Sequence, residues 1–143
     1  MWRFLLLSVL AFGPVTVFDA RPAAAQDQSG SFRSPSDNIH CYYDASEGDL
    51  WLRCDMAEGK QTYTVPPEDC DLDWGMSFLI SETGPAELTC HGDTVRDPRS
   101  AVLGYGAELV IGEIMCQSEK TGLTCRNGEG HGFHLAKAGQ KIF

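Results

Sequence analysis

Basic residues are few and nowhere run together: 11 Lys and Arg stand against 20 Asp and Glu in 143 residues, a formal charge of −9. Nucleic acid and anionic lipid are held through clustered Lys and Arg. The composition therefore argues against both as partners and leaves room for a cation or a basic partner. Long hydrophobic runs are lacking as well. The apolar stretch at residues 4–18 has 15 residues and contains Gly13 and Pro14, short of the roughly 20 needed to cross a bilayer. Beyond residue 25, no stretch of 12 residues keeps a helical period. Cysteine pairs at the short spacing of structural zinc are missing, since the closest two, Cys116 and Cys125, are separated by eight residues. A nucleophile elbow of the G-x-S-x-G kind is missing too. The length suits one small domain.

What is present begins with an address. Arg3 gives a positive start, residues 4–18 an apolar core and Ala23-Ala24-Ala25 a small-residue cleavage site. Residues 1–25 thus read as a secretory signal peptide, with no transmembrane anchor after cleavage. Taking 25 residues from 143 leaves 118, and the loss of two arginines and one aspartate moves the charge from −9 to −10. All six cysteines fall in this part, at positions 41, 54, 70, 90, 116 and 125. An even set in a small exported chain reads as a disulfide framework made in an oxidising place, secreted or in a bacterial periplasm. No cysteine is then left for metal or catalysis.

Residues 26–36, rich in Gln, Ser and Gly, read as a flexible linker, and 37–143 as one disulfide-rich β domain. Short β-branched and aromatic runs alternate with turn clusters, which predicts strands at 38–43, 50–55, 61–65, 76–80, 86–90, 108–111, 113–118, 123–127 and 132–135. The fold class is all-β: a small disulfide-stabilised antiparallel sandwich or barrel built of hairpins. Sequential cysteine pairing fits this pattern. If Cys41 faces Cys54, alternation puts Ile39, Cys41, Tyr43, Leu52, Cys54 and Met56 on one face, and His40, Tyr42, Trp51, Arg53 and Asp55 on the other. If Cys116 faces Cys125, a four-residue loop, 119–122, joins them, and Ile114 and Leu123 share the cysteine face. Cys70 and Cys90 then pair by elimination.

Several stretches occur in a fixed order: Ser34-Pro35-Ser36-Asp37-Asn38-Ile39-His40-Cys41, Arg53-Cys54-Asp55, Asp73-Trp74-Gly75, Cys90-His91-Gly92-Asp93-Thr94, Tyr105-Gly106, Gly122-Leu123-Thr124-Cys125-Arg126-Asn127 and Gly130-His131-Gly132-Phe133. Together, over residues 32–143, they resemble a small exported bacterial domain of unknown function (DUF6636). The resemblance implies export, one domain and paired cysteines, and it carries over no catalytic role. Where that family usually continues with Leu-Ser-Arg-like residues, this chain has His134-Leu135-Ala136-Lys137.

Two kinds of site follow. Tyr42, Trp51 and Tyr105 are aromatic candidates for a recognition surface that takes an envelope or extracellular protein, peptide or glycan. Trp74 is placed in the core, while Trp51 is left open between core and surface. This binding reading is preferred. Its rival is a small hydrolase or metal-dependent enzyme in which His91, Asp93 and His131 supply acid and base, set against the duller reading that Gly92 and Asp93 make a turn. His131 and His134 face opposite sides of a strand unless a loop joins them, and Gly132 marks a bulge or close backbone approach. The acidic run 68–73 fails as an EF-hand, with Trp74 at the sixth place and Ile80 at the twelfth, though a looser loop site for calcium stays open. No cofactor and no metal is expected.

Overall fold

Alternation dictates the architecture. A computed structural model, which describes residues 28–143, contains eleven strands. They are β1 (Ser29–Arg33), β2 (Ile39–Asp44), β3 (Trp51–Met56), β4 (Ser77–Ser81), β5 (Glu87–Leu88), β6 (Ala101–Val102), β7 (Glu108–Ile111), β8 (Ile114–Glu119), β9 (Gly122–Arg126), β10 (Gly132–Ala136) and β11 (Gly139–Ile142). They make a six-stranded sheet A, ordered β5-β4-β3-β2-β1-β6, and a five-stranded sheet C, ordered β11-β10-β9-β8-β7. Residues 1–25, expected to be a signal peptide, lie outside the described residues.

In sheet A, Cys41 pairs with Cys54, Ile39 with Met56 and Tyr43 with Leu52, so one face collects the apolar positions. In sheet C, Cys116 pairs with Cys125 and Ser118 with Leu123. The two apolar faces meet in a sandwich whose core joins Phe32, Leu52, Phe78 and Ile80 to Ile114, Leu123, Phe133 and Leu135. Phe78 and Phe133 touch across it with ring centroids 5.9 Å apart. Both cross-strand bridges sit inside this core, with Cα–Cα separations of 4.1 Å and no exposed sulfur. The third bridge, Cys70–Cys90, ties two loops at the surface, Cα–Cα 5.6 Å. Loops of these lengths give about 3 kcal/mol per bridge in the chain-entropy account.

The structure corrects several expectations. Ser29–Arg33, expected inside a flexible linker, is a strand, because Phe32 buries in the core and the segment pairs with β2. It also pairs with β6 in parallel, so the sandwich is not wholly antiparallel. Residues 61–65 form no strand. Side chains lash that segment to β11 instead: Thr62 N–H donates to Gln140 Oε1 (3.0 Å), Gln140 N–H to Thr62 Oγ1 (2.8 Å) and Ile142 N–H to the Tyr63 hydroxyl (2.6 Å). The β8–β9 turn is two residues rather than four, since Glu119 pairs directly with Gly122. At Gly132 the backbones come so close that a Cβ would collide with the Cys125 carbonyl oxygen.

Candidate functional site

The outward face of sheet A carries its charges in rows set by register. One row runs Arg33, His40, Asp55, Ser77; the next Ser31, Tyr42, Arg53, Leu79; the third Ser29, Asp44, Trp51, Ser81. In the first row His40, Asp55 and Ser77 are buried and Arg33 is half-buried. Segment 89–100 crosses the sheet and fastens to its strands in turn. Thr89 N–H reaches the Ser77 carbonyl of β4 (2.9 Å), residues 93–95 hold β3, Asp97 N–H bonds His40 Nδ1 of β2 (3.3 Å), and the Ser100 carbonyl takes Arg33 Nε of β1 (3.2 Å).

At the centre the Asp55 carboxylate accepts five hydrogen bonds: from Arg53 Nε (2.9 Å) and Nη2 (3.0 Å), Ser77 Oγ (2.6 Å), Thr94 Oγ1 (3.0 Å) and Val95 N–H (3.0 Å). Arg53 also reaches the Asp93 carboxylate (3.0 Å) and carbonyl (2.9 Å). Asp55 is 4 % exposed and Arg53 9 %. Burial pushes the Asp55 carboxyl up, but the hydrogen bonds from Arg53, Ser77 and Val95 outweigh it, so its pKa lies below the ordinary value of 3.8. Burial likewise pulls Arg53 down, and its bonds to Asp55 and Asp93 bring it above its usual value. His40 is sealed beside them. Its Nδ1 accepts from Asp97 N–H, so the proton sits on Nε2, which faces the Asp37 carbonyl (3.1 Å) and carboxylate (3.2 Å).

Sequence reasoning missed this network. The available signal is that Arg53, Asp55 and His40 share one face of the hairpin; what covers that face lies about 40 residues away in the chain.

The enzyme candidates are dispersed. His91 and Asp93 are neighbours, but His91 Nδ1 donates to the Asp93 carbonyl (2.6 Å), while the Asp93 carboxylate serves Arg53. His91 also forms a backbone bridge with Asp73 beside the Cys70–Cys90 link. His131 is held by Asn127, whose amide binds the Ser81 and Gly84 carbonyls beyond the far end of β4 from Ser77. Five residues of strand put about 13 Å between those ends. His134 Nδ1 meets Thr124 Oγ1 at 2.9 Å on the outer face of sheet C. Among the described residues, no group of three or more His, Cys, Asp or Glu is placed to hold a metal ion, and this includes the 68–73 run.

The aromatic candidates split in two. Tyr42 and Trp51 stand together in the second and third rows of sheet A, both half-buried, with ring centroids 5.6 Å apart and planes tilted by 55°. The Tyr42 hydroxyl donates to Asp44 (2.8 Å), which also accepts Ser46 N–H (2.7 Å). The Ser46 hydroxyl, which also donates to Asp44, then the Ser46 N–H and the Tyr42 hydroxyl hold the Asp44 carboxyl below its ordinary value. Tyr105, 44 % exposed, is at the opposite end of the sandwich, on the rim of a cavity of about 190 Å³. Trp74, expected in the core, is only half-buried and lies outside the core cluster. At the Asp44 end a shallower groove of about 480 Å³ opens between β7 and the β2–β3 turn, lined by Tyr43, Leu50, Leu109 and Ile111.

These features define an all-β domain pinned by three disulfides, with a loop laced over one outer face. The chain belongs to a family of unknown function (DUF6636), whose model matches residues 13–143. No curated protein and no solved structure matches it.

Proposed function

We propose that the protein is an exported recognition module, acting in a bacterial periplasm or outside the cell, which takes a glycan on the Tyr42–Trp51 face. The observation that carries this reading is the aromatic pair itself: two rings fixed on a sheet whose strands are cross-linked just below them by Cys41–Cys54. Rings bordered by hydroxyl and carboxylate groups, here Ser29, Asp44 and Ser81, offer stacking for sugar C–H faces and partners for sugar hydroxyls. Three disulfides suit an oxidising compartment. The dispersal of His91, Asp93 and His131 favours binding over hydrolysis.

The test is a fluorescence titration with soluble cell-wall oligosaccharides. Saturable binding is expected for the parent protein and at least tenfold weaker binding for Trp51→Ala at unchanged thermal midpoint. Unchanged affinity in that variant would sink the proposal. So would the absence of glycan binding alongside capture of an extended peptide.

A further inference from the structure

We propose that the cavity beneath Tyr105, at the other end of the sandwich from Tyr42 and Trp51, binds a small hydroxy acid of monosaccharide size. Three turns enclose it: the Ser34–Asn38 turn, the Lys120-Thr121 turn and the start of the β10–β11 turn at Lys137. Its volume of about 190 Å³ is below the roughly 300–1,000 Å³ of sites for larger ligands, so the occupant is small.

Its lining sets the chemistry. Ile39, Leu123 and Leu135 form an apolar floor, suited to the C–H face of a compact ring. Ser34, Ser36, Ser118, Thr121 and Tyr105 line it, residue types whose hydroxyls suit ligand hydroxyls, although Ser34 and Ser36 bond each other (3.0 Å). Ser118, on the inward face of β8 and 2 % exposed, borders the cavity at its floor.

Charge makes the occupant an acid. The chain has four lysines in all, at 60, 120, 137 and 141. Two of them, Lys120 and Lys137, line this one cavity, and the Lys60 N–H bonds the Lys137 carbonyl (2.8 Å). Arg96 lies with Lys137 on the adjoining depression. The carboxylates here are largely engaged: Glu58 holds Lys137 at 3.0 Å, and Asp37 meets Arg33 (3.3 Å) and His40 (3.2 Å). Glu119 also lines the cavity, next to Lys120. Among the described residues Lys120 is in no ion pair, which leaves its ammonium for a ligand carboxylate. Of the two ammonium groups on the cavity, Lys137 is already neutralised by Glu58, so Lys120 is the cation that a ligand carboxylate would meet.

The test follows backbone amide NMR shifts of the disulfide-bonded protein during titration with three probes: glucuronate, glucose and propionate. Glucuronate is expected to give saturable shifts at Tyr105 and the 120–121 turn. Glucose, lacking the carboxylate, and propionate, lacking the hydroxyls, should bind at least tenfold more weakly. Lys120→Gln should weaken glucuronate at least tenfold, and Ser118→Ala measurably, while Trp51→Ala leaves it unchanged. The last variant separates this site from the aromatic face. The proposal is overturned if glucuronate gives no saturable shift or shifts another surface, if Lys120→Gln binds it as before, or if either of the other probes binds equally well.

Discussion

The two cysteine-bridged hairpins, β2–β3 in sheet A and β8–β9 in sheet C, are alike on the inside and opposite on the outside. Each turns a fully buried cystine into the core with the same 4.1 Å Cα separation. Outward, β2–β3 carries His40, Arg53 and Asp55 beneath segment 89–100, whereas β8–β9 shows Met115, Gln117 and Arg126 to solvent. Alternation settles which side chains go inward. The state of the outward face depends on whether a distant loop grips it, as segment 89–100 grips sheet A through Asp55, His40 and Arg33.

The largest effect that would break this contrast is at Asp55. Asp55→Ala leaves Arg53 buried without its main partner and should cost about 3–5 kcal/mol in urea denaturation. Thr124→Ala, on the outer face of sheet C, should stay within about 0.5 kcal/mol. Equal losses would mean that the cover over sheet A contributes nothing special.

Acid gives the next largest difference. The Asp55 pKa is depressed in the folded state, so its contribution is complete above the ordinary value of 3.8 and fades as pH falls through the lower folded value. Asp44 and Asp97 are depressed as well, so the parent alone does not isolate Asp55. Denaturation midpoints below pH 3.8 should therefore fall more steeply for the parent than for Asp55→Asn. Parallel slopes would place the acid sensitivity elsewhere.

The smallest effect has the opposite sign. Thr89 Oγ1, where segment 89–100 leaves β4, is buried without a hydrogen-bond partner among the described residues. Thr89→Val keeps the shape and removes the orphaned hydroxyl, so the thermal midpoint should rise, by about 0.5–1 kcal/mol in stability. A fall of that size would show that the hydroxyl is satisfied in solution.

Much of the fold was legible because it rests on short-range pattern. The pairing of Ile39, Cys41 and Tyr43 with Met56, Cys54 and Leu52 follows from period-two alternation across one turn. β1 was not legible: Gly and Ser make most of it, and what fixes it is pairing with β2 and with residues 101–102, far along the chain. β11 was missed for a related reason, since Gly139, Gln140 and Lys141 have little β preference and are held by β10 and by side chains of 62–63. The sites divide the same way. Tyr42 and Trp51 sit on one face as alternation requires. Tyr105 joins the other end because the connection after β6 crosses from sheet A to sheet C, where Gly106 N–H bonds the Ser118 carbonyl (2.7 Å). No spacing rule encodes that crossing.

Segment 89–100 also acts as a gauge of alignment. It fastens to β4, β3, β2 and β1 in succession, through Ser77, Asp55, His40 and Arg33. A slip of one residue in any of these strands would turn its fastening point toward the core and bring an apolar side chain out in its place. A misaligned sheet A would thus lose its cover at the strand that slipped, and only the correct alignment lets all four fastenings close together.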